Sequence, residues 1–288
     1  MKWAIIYVPH NFPTPDMAAF VAQTAEQAGF ESIWGGEHVV FPVDYAPKYG
    51  FTDSGEFPWA EIPMPDPIVY FAYAAAVTKT IRFGTGVVIL PEHNPLVFAK
   101  SVATLDYLSV GRFDLGVGVG WLKEEFDALG VPWEARGKRT DEYIQALRRL
   151  WSDSPAAFDG ELLKFPPVHC LPKPVKKMVP IHIGGDTQIA ARRAGRLGDG
   201  FFPAVYPNRR VKEELPGLLE TMRKTAAEHG RDGWKVEVTS GGTRKAEGVA
   251  WFEDLGVSRL TIAIHGKTKD EIYRELMTFG DEVISKTS

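Results

Sequence analysis

Cysteine is nearly missing from this 288-residue chain, in which Cys170 stands alone. An internal disulfide is therefore excluded, and a reducing compartment, the cytoplasm, is expected. A surplus of positive charge is missing too. The 33 Lys and Arg against 37 Asp and Glu leave a net charge of −4, which argues against a nucleic-acid surface or an anionic membrane as partner. Long hydrophobic runs are lacking: Ile68–Val77 is too short to cross a bilayer, and Pro9 cuts the N-terminal apolar run short of a secretory leader. There is no low-complexity segment and no repeat finer than a strand–helix period. Glu92 and His93 are adjacent and the other histidines and carboxylates are scattered, so no metal is expected. No G-x-S-x-G elbow marks a serine nucleophile. What is present is a globular composition, 44% hydrophobic, ample for one large core or two modest ones.

The most legible stretch runs from Arg82 to Phe126. Arg82–Ile89 is a nearly continuous apolar run, as expected of a parallel strand buried on both faces. Asn94 offers an N-cap and Pro95 a first helical residue, Phe98, Val102 and Leu105 recur at helical spacing, and Gly111 ends the helix. Phe113–Val117 begins another strand, and Gly116, Gly118 and Gly120 leave the backbone bare where it becomes loop. The same period extends both ways. Trp3–Val8, Ser32–Trp34, Val179–Ile183, Gly200–Pro203, Trp234–Thr239 and Arg259–Ile264 read as further strands. Helices are expected from Thr14 to Gly29, from Asp66 to Ala76, over Gly137–Trp151, from Thr187, over 208–229, over Arg244–Leu255, and after a capping box at Thr268 and Glu271. Residues 41–66 and 154–178 have no sustained period. The first reads as functional, for example a lid, or as mobile; the second reads as an irregular insertion with a small hairpin around Asp159-Gly160.

Eight strands alternating with eight helical regions predict an α/β chain folded as one (β/α)8 barrel domain over residues 1–288. A doubly wound open sheet has the same local pattern. A barrel places its chemistry at the C-terminal ends of its strands. His10-Asn11, Glu37-His38, Glu92-His93-Asn94, Gly118-Val119-Gly120-Trp121, Gly184-Gly185-Asp186-Thr187, Ser240-Gly241-Gly242 and His265 all fall there, which points to an enzyme.

Each candidate has two readings. His38 is a catalytic group or a loop anchor, and Glu37 beside it tunes its proton affinity or is simply solvated. The glycines at 116, 118 and 120 are not a dinucleotide fingerprint, because Lys123 stands where the third glycine belongs. They serve a close backbone approach or a tight turn. Gly184-Gly185-Asp186-Thr187 opens a helix, so its amides and dipole suit a phosphate, or it is an ordinary turn capped by Asp or Thr. Arg136, Lys138 and Arg139 oppose the dipole of the helix they begin; a solvated face or an anionic partner accounts for them.

Three stretches carry a resemblance: GTGVVILPEHNPLVFAKSVATLDYLSVGRFDLGVG (residues 84–118), LGVGVGWLKEEFDALGVPWEARGKRTDEYIQALRRLW (residues 115–151) and VPIHIGGDTQIAARRAGRLGDGFFP (residues 179–203). They resemble the bacterial luciferase-like monooxygenase superfamily, in particular its coenzyme F420-dependent oxidoreductase branch. SIWGGEHVVFP (residues 32–42) fits more loosely. The resemblance implies a (β/α)8 barrel with insertions, an F420 cofactor, hydride transfer to or from a small organic substrate, and a homodimer. It implies that the deazaflavin or flavin ring lies at the barrel mouth against Gly86 and Val87, where family members often carry a non-prolyl cis peptide. Gly118, Val119, Gly120 and Trp121 would line the ring and ribityl chain, and Gly184, Gly185, Asp186 and Thr187 would bind the phosphate. His38 would stand beside the reacting carbon as general acid/base or charge stabiliser. In related sugar-phosphate dehydrogenases an acid follows the Gly-x-Gly turn; here Trp121 follows it, with Glu124 and Glu125 further on, so a sugar phosphate is not implied. The aromatic loop of Phe41, Tyr45, Tyr49, Phe51, Phe57 and Trp59 would cover the site and select an apolar or planar substrate, or serve packing or a subunit contact. The alternatives are an FMN-dependent two-component monooxygenase and a non-catalytic flavin-binding barrel.

Overall fold

A computed structural model describes residues 1–49, 52, 54–58, 60–203 and 211–287. β1 (Lys2–Ile5) enters the short helix α1 (Val8–Asn11), followed by α2 (Pro15–Gln27) and β2 (Ser32–Gly35). After a long connection come α3 (Pro67–Ala76), β3 (Arg82–Thr85), β4 (Val88–Ile89), α4 (Pro95–Leu108) and β5 (Phe113–Gly118). Helices α5 (Lys123–Ala128) and α6 (Arg136–Ser152) lead to a hairpin of β6 (Ala156–Asp159) and β7 (Lys164–Val168). Then follow β8 (Ile181–Gly184), α7 (Gln188–Leu197), β9 (Gly200–Phe202), α8 (Val211–Glu228) and β10 (Glu237–Gly241). The last alternation is α9 (Val249–Asp254), β11 (Arg259–Ile262) and α10 (Lys269–Phe279).

Helix starts follow local chemistry. Thr14 accepts from the Met17 amide, Asn94 from Leu96 and Val97, and Thr187 from Ala190, while Pro15, Pro67 and Pro95 occupy first turns that need no N–H. Thr268 and Glu271 form the expected capping box.

Among the described residues, nine strands form one parallel sheet in the order β3-β2-β1-β11-β10-β9-β8-β5-β4, and β3 also pairs with β5. β3 and β4 are halves of one barrel position, so the sheet closes as a (β/α)8 barrel and the open sheet is excluded. Trp34 of β2 meets His182 of β8, Phe202 of β9 and Arg259 of β11. None of these strands neighbours β2 in the sheet, so the contacts cross the lumen. Ala4, Ile6, Trp34 and Phe202 fill that lumen, and a larger apolar core joins the helices to the barrel. No described helix is long and apolar enough to cross a membrane.

Four elements depart from the sequence reading. The expected strand Trp3–Val8 ends at Ile5, and Val8 opens the helix α1. The expected strand Arg82–Ile89 is broken at Gly86-Val87, whose peptide is cis. Thr85 accounts for the interruption on the β5 side: its hydroxyl donates to the Gly116 carbonyl (2.8 Å) and accepts from the Gly116 amide (2.7 Å), taking over a ladder rung. The expected strand Trp234–Thr239 starts only at Glu237, because Asp232 caps a 3-10 turn over Gly233–Lys235 and the exposed Trp234 stacks on Arg223 instead. The helix expected over 244–255 is a 3-10 turn followed by α9 alone. The helix expected over 208–229 is α8; residues 208–210 lie outside the described residues. The predicted hairpin around Asp159-Gly160 is present as β6–β7.

Candidate active site

A cleft of about 820 Å³ opens at the C-terminal ends of the strands. Glu37 and His38 reach it from the end of β2, and Gly86 and Val87 from the break between β3 and β4. Gly118, Val119, Gly120 and Trp121 reach it from the end of β5, and Gly184, Gly185, Asp186 and Thr187 from the turn into α7. All the residues singled out as a site from sequence therefore line one space. Ser240, Gly241 and His265 are not on its walls, and Gly242 lines a separate hollow with Trp251 and Phe252.

Val87 forms the floor. A Cβ on Gly184 would stand 2.5 Å from Val87 Cγ1, and one on Gly118 would stand 2.8 Å from Cγ2. These glycines thus make the socket of a valine side chain; the close approach expected of them is filled from within. Gly120 has φ +83°, the left-handed turn that glycine adopts without strain.

His38 stands in an aromatic wall. Its ring meets the edges or faces of Phe57, Phe41 and Trp121 at 4.8, 5.2 and 5.9 Å between centroids. Tyr49 packs on Trp121 and Phe57, and Tyr45 on Phe41. Phe51 and Trp59, assigned to the same wall, lie outside the described residues. His38 Nδ1 lies 2.6 Å from Glu125 Oε2, and Glu125 Oε1 accepts from the Val39 and Val40 amides at 2.8 and 3.3 Å. Glu37, expected as the partner of His38, instead accepts from the Ile89 amide (3.1 Å) and lies 2.9 Å from His93 Nε2. Burial disfavours the His93 cation, but the hydrogen bond and charge of Glu37 outweigh it and raise the pKa. Glu92 is buried next to this pair. Burial, then the charges of Glu125 and Glu37, push its pKa up to about 9. His10 also lines the cleft, and burial followed by the charge of His38 lowers it to about 4. Glu125, Glu92, His93 and His10 were not assigned roles from sequence.

The far end of the cleft brings Arg136 to the start of α7, with Asp186 in the turn before it. The Gly185 amide is spent on the Phe202 carbonyl (3.2 Å) and the Thr187 hydroxyl caps Ala190 (3.1 Å). Both are ordinary turn chemistry, but the Gln188 and Ile189 amides at the start of α7 have no intrahelical acceptor, and no acid occupies the helix's first turn. Of the three cations that open α6, only Arg136 faces the cleft, stacked 3.5 Å from the Trp133 ring centroid. Lys138 pairs with Glu161, and Arg139 binds the Pro132 and Glu134 carbonyls. Among the described residues there is no group of His, Cys, Asp and Glu fit for a metal ion.

The chain has known relatives. The luciferase-like monooxygenase family model matches residues 6–244. A protein of Mycobacterium tuberculosis is 33% identical over 255 residues, covering 88% of this chain and 89% of that one. The F420-dependent glucose-6-phosphate dehydrogenase of Amycolatopsis mediterranei is 32% identical over 195 residues, 66% of this chain and 54% of that enzyme. The FMNH2-dependent dimethylsulfone monooxygenase of Pseudomonas putida is 29% identical over 215 residues, 73% and 53%. The structure of an F420-dependent secondary alcohol dehydrogenase in complex with an F420-acetone adduct superposes with a TM-score of 0.77 at 18% identity, covering 100% of this chain and 99% of that one; at that identity it shows the shared fold. By its family match over most of its length and by its closed barrel, the chain belongs to the luciferase-like monooxygenase family.

Proposed function

We propose that this chain is an F420-dependent oxidoreductase that transfers a hydride between the deazaflavin and a small organic substrate. One observation carries the reading: of the two imidazoles that line the cleft, His38 stands in an aromatic wall, and the other end of the cleft is the N-terminus of α7. Moving a hydride to or from an alcohol carbon requires one proton to be handled at the oxygen, and one positioned imidazole suits that task.

The cleft fits a flavin-like group by its own shape. Its volume lies within the range of cofactor sites. Val87, seated among glycines, gives a flat apolar floor, and the α7 amides with Arg136 give an anion-binding end. Gly86, Val87, Gly118, Val119, Gly120 and Trp121 would hold the ring, and Gly184, Gly185, Asp186, Thr187 and Arg136 would meet the tail. When bound, a deazaflavin supplies or accepts a hydride without readily activating oxygen. The chain's own residues do the remainder. Tyr49, Phe57 and Trp121 exclude water and face the apolar part of the substrate, His38 moves the proton, and Glu37 positions the loop through Ile89 and His93.

The FMNH2-dependent relative supports a second reading, an FMN-dependent monooxygenase. Titrating the protein with F420 and with FMN, each oxidised and reduced, and following tryptophan fluorescence separates the two, because Trp121 and Trp133 line the cleft. Tight F420 binding with weak FMN binding is expected. The reverse preference would establish the monooxygenase reading, and binding of neither would remove both.

A further inference from the structure

We infer that Glu125 is the positioning residue that fixes the tautomer of His38, so that Nε2 is the nitrogen offered to the substrate. The inference rests on the proposed role of His38, but its geometry stands apart from any cofactor. The Glu125 side chain is 1% exposed and makes three contacts, all to residues 38–40, which lead into the 41–66 connection. Oε1 is occupied by the Val39 and Val40 amides, so Oε2 is the atom left for His38. A carboxylate has only acceptors to offer, hence Nδ1 carries the hydrogen. Nε2 has no hydrogen-bond partner among the described residues, and the ring cannot easily turn, because Phe41, Phe57 and Trp121 enclose it.

One short helix therefore sets the ring and its cover together. On α5, Glu125 holds Val39 and Val40, and Glu124 accepts from the Ala46 amide at 2.9 Å. With Nε2 unprotonated, His38 is a base: in the oxidative direction it would take the substrate O–H proton at Nε2, while a bound deazaflavin would accept the hydride from the substrate carbon. In the reductive direction the imidazolium returns that proton to the oxygen. Other titratable groups near this pair are Glu37, His10, Lys48 and Tyr49 in the cleft lining, Tyr45 on Phe41, Glu92 and His93 beside Glu37, and Glu124 on the same helix.

The test is Glu125→Gln. The glutamine carbonyl keeps the two backbone bonds, which turns its NH2 toward Nδ1. Nδ1 must then accept, and the hydrogen moves to Nε2. Nitrogen-15 NMR of the histidine-labelled native protein is expected to report Nδ1–H for His38, and the variant Nε2–H, with the exchange of the Val39 and Val40 amides unchanged. Diethyl pyrocarbonate, which attacks an unprotonated imidazole nitrogen, should modify His38 in the native protein, and that modification should be lost in the variant, as read by peptide mass. Nε2–H in the native protein overturns the inference even if the variant fails to fold. An unchanged tautomer or unchanged modification in Glu125→Gln overturns it as well. Neither measurement uses F420, so failure here and failure of the cofactor titration are separate results.

Discussion

Glu92 sits in the turn after β4, buried, with neither carboxyl oxygen partnered among the described residues. Its folded pKa of about 9 lies above the 4.5 of an unperturbed glutamate. The folded state therefore keeps a proton that the unfolded chain releases, and stability falls as pH rises from about 4.5 to about 9. Glu92→Gln keeps the shape and removes the titration. The variant should be more stable than the parent in urea at about pH 8, and the gap should close by about pH 4. An equal gap at both pH values would mean that the native carboxyl does not hold its proton. At this scale the sequence was only partly informative. Adjacency in sequence offers Glu37 as a group that tunes His38 or as a solvated acid, yet adjacent side chains leaving a strand point opposite ways. The structure gives Glu37 to His93 and His38 to Glu125, across 56 and 87 residues of chain respectively. No local signal marks Glu125, because its partner arrives on a different loop.

Val87 and its socket belong to the scale of elements, since β4, β5 and β8 meet there. The glycine pattern was visible from sequence, but what it accommodates was not: a glycine records that space is needed and not who fills it. Gly184→Ala should push Val87 from its seat and cost about 1–3 kcal/mol, the usual price of overpacking. Adding Val87→Ala should return part of that loss, so a double-mutant cycle in urea should show a coupling that opposes the single effects. Simple additivity would mean that another neighbour absorbs the new methyl. Helix starts were the most legible elements, because Asn94, Thr187 and Thr268 act on amides two to three residues away. The break in the third barrel strand was not, since Thr85 replaces a ladder rung through contacts with Gly116, 31 residues on.

Closure of the barrel is a property of the whole molecule, and the local pattern was silent on it: an open sheet and a barrel share every strand–helix unit. What closes this one is visible at the N-terminal ends of the strands. Arg259, 1% exposed, binds Glu31 through Nε and Nη2 at 2.9 Å, Thr239 at 3.0 Å and Glu237 at 3.4 Å. Arg82 binds Asp114 in the same layer at 2.8 and 3.0 Å. Side chains from β3, β5, β10 and β11 and from Glu31 just before β2 thus converge under Trp34, where Asp114 and the largely buried Glu31 each meet an arginine. Arg259→Met leaves Glu31 facing the lumen without its main partner. Breaking a buried pair in this way costs about 3–5 kcal/mol. Lys2→Met removes an ion pair with Glu237 that is about two-fifths exposed on both sides, and such pairs contribute about 1 kcal/mol or less. Urea unfolding of the two variants should therefore differ severalfold in its loss of stability, with the Arg259 loss less sensitive to salt than the Lys2 loss because Arg259 is buried and Lys2 is not. A loss for Arg259→Met no larger than for Lys2→Met would show that the layer does not hold the barrel closed. F420 titration of the folded Arg259→Met protein should match the parent, because the cleft lies at the opposite end of the strands, beyond the plug of Trp34 and Phe202.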